Sequence, residues 1–139
     1  MTATTARRVT ESMPNMEGPT ERYVQTASTT LYGGTLAMID SNGLLLTPGS
    51  SANNRGCVVV EEDSTAPASG TTYAKAKRGI FRFIGQGTFA QSHVGSLCYA
   101  ADNQTVQPTV GTNLPIAGRV YEVVSATDVW VEVDPRYVF

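Results

Sequence analysis

At 139 residues the chain fits one domain, large enough to bury a core without metal or disulfide staples and too short for a second catalytic domain. Ten basic against 12 acidic residues give a net charge of -2, which excludes a protein that holds nucleic acid by overall charge. Only 16% of residues are charged, and Gly, Thr, Ser, Ala and Val are plentiful, a composition that suits an all-β domain with many turns.

Residues 1–22 are polar and threonine-rich, with no sustained apolar period, so they cannot hold a fold of their own. They are expected to form an extended N-terminal arm, either a tail without a role or a segment that orders on a partner. The start, from Met1 to Arg8, lacks the apolar core of a secretory signal. No stretch approaches the roughly 20 apolar residues of a membrane span, so the expectation is a soluble protein made in a cytoplasm, with no membrane partner. The β domain is expected over 23–139, beginning at Tyr23.

Strand signals then recur along the chain. Leu36 to Ile39 and Leu44 to Leu46 flank Asp40-Ser41-Asn42-Gly43, and an Asn-Gly pair tolerates the positive φ angles of a tight hairpin. Pro48 to Asn54 reads as a loop. Cys57 to Glu61 reads as a strand buried on both faces, and Asp63 to Gly70 as an exposed loop. In the long extended stretch from Thr71 to Ile84, Ala74 and Ala76 share one parity while Phe81 and Phe83 share the other. One extra residue near Arg78-Gly79 would reconcile them, so a β-bulge is expected there. Thr88 to His93 is expected to form one helical turn capped by Thr88. Strands are expected at Leu97–Ala100, Thr105–Gln107, Ile116–Val124 and Asp128–Val133, the last with Val129, Val131 and Val133 inward and Trp130 between acids outward. The sum is an all-β barrel or sandwich of about eight to ten short strands.

One pattern occurs twice. Gly34-Thr35-Leu36-Ala37-Met38-Ile39-Asp40-Ser41-Asn42 is matched by Gly95-Ser96-Leu97-Cys98-Tyr99-Ala100-Ala101-Asp102-Asn103. Each is followed by a polar stretch and a glycine, Gly56 or Gly118, that opens a valine-rich strand. The two copies are expected to build two related lobes of one barrel.

Candidate chemistry is sparse. Cys57 and Cys98 sit in apolar strand contexts without a CxxC, and the single histidine, His93, cannot complete a zinc site, so both cysteines are expected reduced and buried. His93 has no GxSxG elbow near it to mark a catalytic base. Glu61, Glu62 and Asp63 border a loop and read as a solvated rim. No cofactor or metal is expected. The one charge feature is an acid-free stretch, Ser64 to Ala101, carrying Lys75, Lys77, Arg78 and Arg82. Against it stand Glu122, Asp128, Glu132 and Asp134. These can be ordinary solvated faces, or complementary surfaces that meet between neighbouring copies. A nucleic-acid groove is disfavoured, because no aromatic platform is expected among the outward basic residues.

These residues resemble a family. The runs Val94 to Val106, Leu114 to Val120 and Val129 to Val133 are similar to the C-terminal half of the capsid decoration, or cement, proteins of tailed bacteriophages. Gly79-Ile80-Phe81-Arg82-Phe83 and the hairpin from Leu36 to Gly43 are similar to strands of the same proteins, so the resemblance spans about residues 30 to 134. It implies a non-enzymatic protein that binds the outer surface of the expanded head, commonly as a homotrimer, and stiffens the shell against internal DNA pressure. Its partner would be the major capsid protein, with the N-terminal arm laid along it. Expected contacts to the capsid or between subunits are Arg7, Arg8, Arg22, Tyr23, Lys75, Lys77, Arg82 and Trp130. Another virion part, such as a head-fibre base, tail component or minor spike, is the first alternative, and a small β-barrel enzyme or binding module the second.

Overall fold

A computed structural model describes residues 3–49 and 54–135 and, at 14–17 and 19, the backbone alone. Eleven strands run in chain order: β1 Ser12–Gln25, β2 Thr30–Leu31, β3 Leu36–Asp40, β4 Leu45–Leu46, β5 Asn54–Val60, β6 Ser64–Thr65, β7 Thr72–Gly85, β8 Leu97–Ala100, β9 Thr105–Gln107, β10 Ile116–Ser125 and β11 Asp128–Val133. The protein is all-β, in a nine-stranded sheet and a small β2–β6 ribbon. Residues 50–53 of the loop expected over Pro48 to Asn54 lie outside the described residues.

The strand pairing closes on itself twice. One circuit runs β1–β4–β3–β5–β7 and back to β1; the other runs β7–β9–β8–β10–β11 and back to β7. In each, the first pair is parallel, Gln25 beside Leu45 and Ile84 beside Thr105, and all other pairs are antiparallel. The repeated sequence therefore appears as repeated topology: β3, β4 and β5 of the first circuit correspond to β8, β9 and β10 of the second. Closure of this kind leaves few open edges.

The two copies turn their corners with the same side-chain device. Asp40 Oδ1 accepts from the backbone N–H of Asn42 at 2.8 Å and of Leu44 at 2.9 Å. Asp102 Oδ1 accepts from Gln104 at 2.9 Å and Thr105 at 2.8 Å. Both are carboxylates standing in for a turn's backbone acceptor. In the first hairpin only Gly43 of the Asn-Gly pair takes a positive φ, 77°, so the connection is the three-residue kind rather than the two-residue turn.

β7 closes one circuit and opens the other, and this explains its change of parity. The expected bulge at Arg78-Gly79 is corrected: β7 keeps unbroken register with β11 from Gly79 to Ile84. Ala74 and Ala76 join a first core with Leu31, Ala37, Leu45, Val58 and Val60. Phe81 and Phe83 face the other way into a second core with Cys98, Ala100, Val106, Val120, Val129, Val131 and Val133. An uninterrupted strand shows alternate residues to opposite faces, so the parity switch marks a change of lobe. The irregularities lie on β1 instead: from Ser12 to Glu17 it takes five steps while β7 takes two, and from Glu17 to Thr20, opposite Arg78, three while β7 takes two.

The lobes form one body because β3 and β5 are buried on both sides. Ala37, Val58 and Val60 fill the first core, while Leu36, Met38, Cys57 and Val59 on the opposite faces join the second. The burial of Cys57 to Val60 on both faces matches the unbroken apolar run. β1 runs straight through the boundary expected at 22/23 and pairs with β7 down to Thr72, so its residues are sheet, not arm. The helical turn is a 3-10 turn at Gln91–His93, preceded by Ala90 rather than capped by Thr88; His93 Nδ1 accepts the Ala90 N–H at 2.9 Å.

Candidate functional site

Residues 3–11 fold back across the body as a strap. Thr4 N–H donates to Asn103 Oδ1 at 2.9 Å and Asn103 Nδ2 donates to Thr4 O at 2.8 Å, so one amide side chain grips both backbone groups of Thr4. Arg8 N–H donates to Gly33 O at 2.7 Å, the Thr10 hydroxyl to Gly34 O, and Arg82 N–H to Glu11 O at 3.0 Å. Gly34, at φ 80°, is where the chains come closest: a Cβ there would stand 1.9 Å from Arg8 O. Only glycine admits both that angle and that approach.

Five of the eight sequence-predicted contact residues fall into two groups. Arg8, Arg82 and Trp130 gather where the strap crosses the second lobe. The half-buried Arg8 guanidinium donates to Arg82 O at 3.0 Å and Thr10 Oγ1 at 2.8 Å and stands 5.0 Å from the Phe83 ring centre. Burial lowers its pKa, as it does for any cation taken from water. Arg82 makes a two-pronged bond to Asp128, with Nε to Oδ1 at 2.7 Å, and an ion pair with Glu11 at 3.5 Å. Its guanidinium lies 5.8 Å from the Trp130 ring centre. The hydrogen bonds to Asp128, with the nearby carboxylates, raise the Arg82 pKa, and the same contact lowers that of Asp128. A shallow cleft of about 330 Å³ lies here between Val9, Ile84 and Thr127, and another of about 160 Å³ runs under the strap beside Val59 and Lys77.

Arg22 and Lys75 form the second group, on the outer face of the first lobe. They are register partners on β1 and β7, and the next pair on that face is Val24 with Tyr73. The Arg22 guanidinium lies 4.3 Å over the Tyr73 ring, which is 51% exposed, and Lys75 Nζ is 3.7 Å from Glu62. Tyr23 points the other way and packs against the first core; burial, then Glu21, raises its phenol pKa. Arg7 stands apart, its Nη1 3.2 Å from Glu61 O, and Lys77 Nζ lies 5.7 Å from the Phe81 ring centre.

One expectation about charge is corrected, and part of another is met within the chain. The acids at the C-terminal end meet the basic stretch within one chain: Asp128 holds Arg82, and Asp134 lies 3.9 Å from Arg78, which also pairs with Glu21 at 3.0 Å. Aromatics also stand beside outward cations, Tyr73 under Arg22 and Trp130 beside Arg82. β-Strand alternation hid this, because the aromatic partner sits on the neighbouring strand or two residues away. Tyr73, Asn103 and Gly34 are contact residues that sequence reasoning missed; the last two lie in the repeated motif, at the end and the start of its copies.

Cys57 and Cys98 are free and buried. Burial drives both thiols up, Cys98 to about 12, so neither is a nucleophile at neutral pH. His93 is spent on Ala90 and stands 5.8 Å edge-on from Phe89. Among the described residues no cluster of His, Cys, Asp and Glu could hold a metal ion, and no helix is long and apolar enough to cross a membrane. Comparison with protein-family models, curated proteins and solved structures found no match.

Proposed function

We propose that the protein is a capsid decoration protein of a tailed bacteriophage, which binds the outer surface of the expanded head and stiffens it. The observation that carries this reading is the exposed Arg22–Tyr73 stack with Lys75, set on the outer face of a doubly closed β body. Aromatic and arginine side chains on a rigid platform are the usual anchors of a protein interface. The resemblance between residues 30 and 134 supplies the partner, the major capsid protein, and the trimeric state. Binding many equivalent sites on a shell offsets the entropy of ordering each copy.

Co-sedimentation with expanded and unexpanded heads of the particle whose genome encodes the chain tests this. The expected result is saturable binding to expanded heads alone, weakened about tenfold or more by Arg22→Ala with Tyr73→Ala. Binding that ignores both substitutions would remove this face from the interface, and absence of binding to either form would remove the capsid reading.

A further inference from the structure

We propose that the groove under the strap is a binding site for an extended peptide, and that residues 3–11 of a second copy of this chain can occupy it. The groove addresses the strap's backbone through the Asn103 amide on Thr4, Gly33 O on Arg8 N–H, and the Arg82 N–H on Glu11 O. Such contacts suit any extended segment, and the side chains select which: Arg8 against Arg82 O and the Phe83 ring, with Arg7 on Glu61 O, Thr10 on Gly34 O and Glu11 beside Arg82.

The site is pre-formed. The Asn103 backbone carbonyl accepts from Leu36 N–H at 2.8 Å, and the Asp102 turn fixes the residues after it, so the body itself holds Asn103 in place. The occupant is much less committed. None of residues 3–11 belongs to either core, and Val9 is 93% exposed.

Slack for an exchange is stored where the strap joins the sheet. Five steps of β1 against two of β7 between Ser12 and Glu17 leave three residues of surplus chain, about 10 Å when extended. Straightening them lets the strap leave its own body while β1 stays paired from Thr20 onward. A second copy offers the same groove to the same residues, so the bonds that residues 3–11 give up in one chain are remade in the other, as in other exchanges of identical elements. That identity, Arg8 above all, favours a second copy over an unrelated protein. The exchange needs only this chain, so its failure would leave the capsid reading standing.

Two measurements test it. Full-length Thr4→Cys and Asn103→Cys single variants are mixed and mildly oxidised, with the double variant as the within-chain reference. The expected result is a two-chain disulfide joining positions 4 and 103 in the mixture, increasing with protein concentration. Cross-linking within chains of the double variant and none in the mixture would overturn the exchange. A labelled peptide of residues 1–11 is then titrated into the chain lacking residues 1–9. Saturable binding is expected, at least tenfold weaker to the full-length chain and to truncated Asn103→Ala, with truncated Asn103→Asp, which keeps only the acceptor, between. No binding to a truncated chain that circular dichroism shows folded, or binding indifferent to both substitutions, would overturn the groove.

Discussion

The pair Arg82–Asp128 is where a single side chain most clearly couples the strap region to solution conditions. Because Arg82 depresses the Asp128 pKa in the folded chain, the pair's contribution is complete above the ordinary carboxylate pKa of about 4 and is lost as pH falls through the lower folded value. Asp128→Asn should therefore flatten the fall in melting temperature between about pH 5 and about pH 3, measured against the parent chain. A parallel fall in both would contradict the coupling. Asn103→Ala removes two hydrogen bonds to Thr4, each worth about 1 kcal/mol, and should lower unfolding free energy by about 1 to 2 kcal/mol in urea titrations. The buried cysteines make a third expectation. Neither thiol should react with an aromatic disulfide reagent in the native chain near neutral pH, and both should react on unfolding.

Among the elements, β1 and β7 carry the most weight, and they separate what was legible in the sequence from what was not. Strands β8, β9 and β11 stand at the residues expected for them: β8 and β11 each bury one face, and all three are bounded by turn residues. The parity switch of β7 was also visible, yet its cause was not, since a bulge and a change of lobe leave the same trace in one strand. Polar composition hid β1 for a related reason: its pairing with β7 rests on backbone bonds, which sequence pattern does not report. Tyr73 was missed beside the expected Arg22 and Lys75 because its stack with Arg22 joins strands far apart in the chain. Deleting residues 1–22 should consequently unfold or strongly destabilise the protein by exposing the edge of β7, whereas deleting 1–9 should leave native circular dichroism. Phe81→Ala, in the second core, should remove about 3 to 5 kcal/mol, checked by denaturant unfolding.

At the scale of the whole molecule, two circuits of the same pairing pattern share one strand and two strands buried on both sides. Neither lobe can open without exposing the other's core, so thermal unfolding should follow one cooperative transition, with the slowest-exchanging amides in β5 and β7. Two separate transitions would contradict the shared-strand architecture. The proposed capsid role places function on the outer face and the strap of this body. Electron cryo-microscopy of expanded heads saturated with the protein tests that assignment most directly. The expected result is added density at regularly repeated positions on the outer surface, with the Arg22–Tyr73 face against the shell. A bare shell at saturating protein would contradict it.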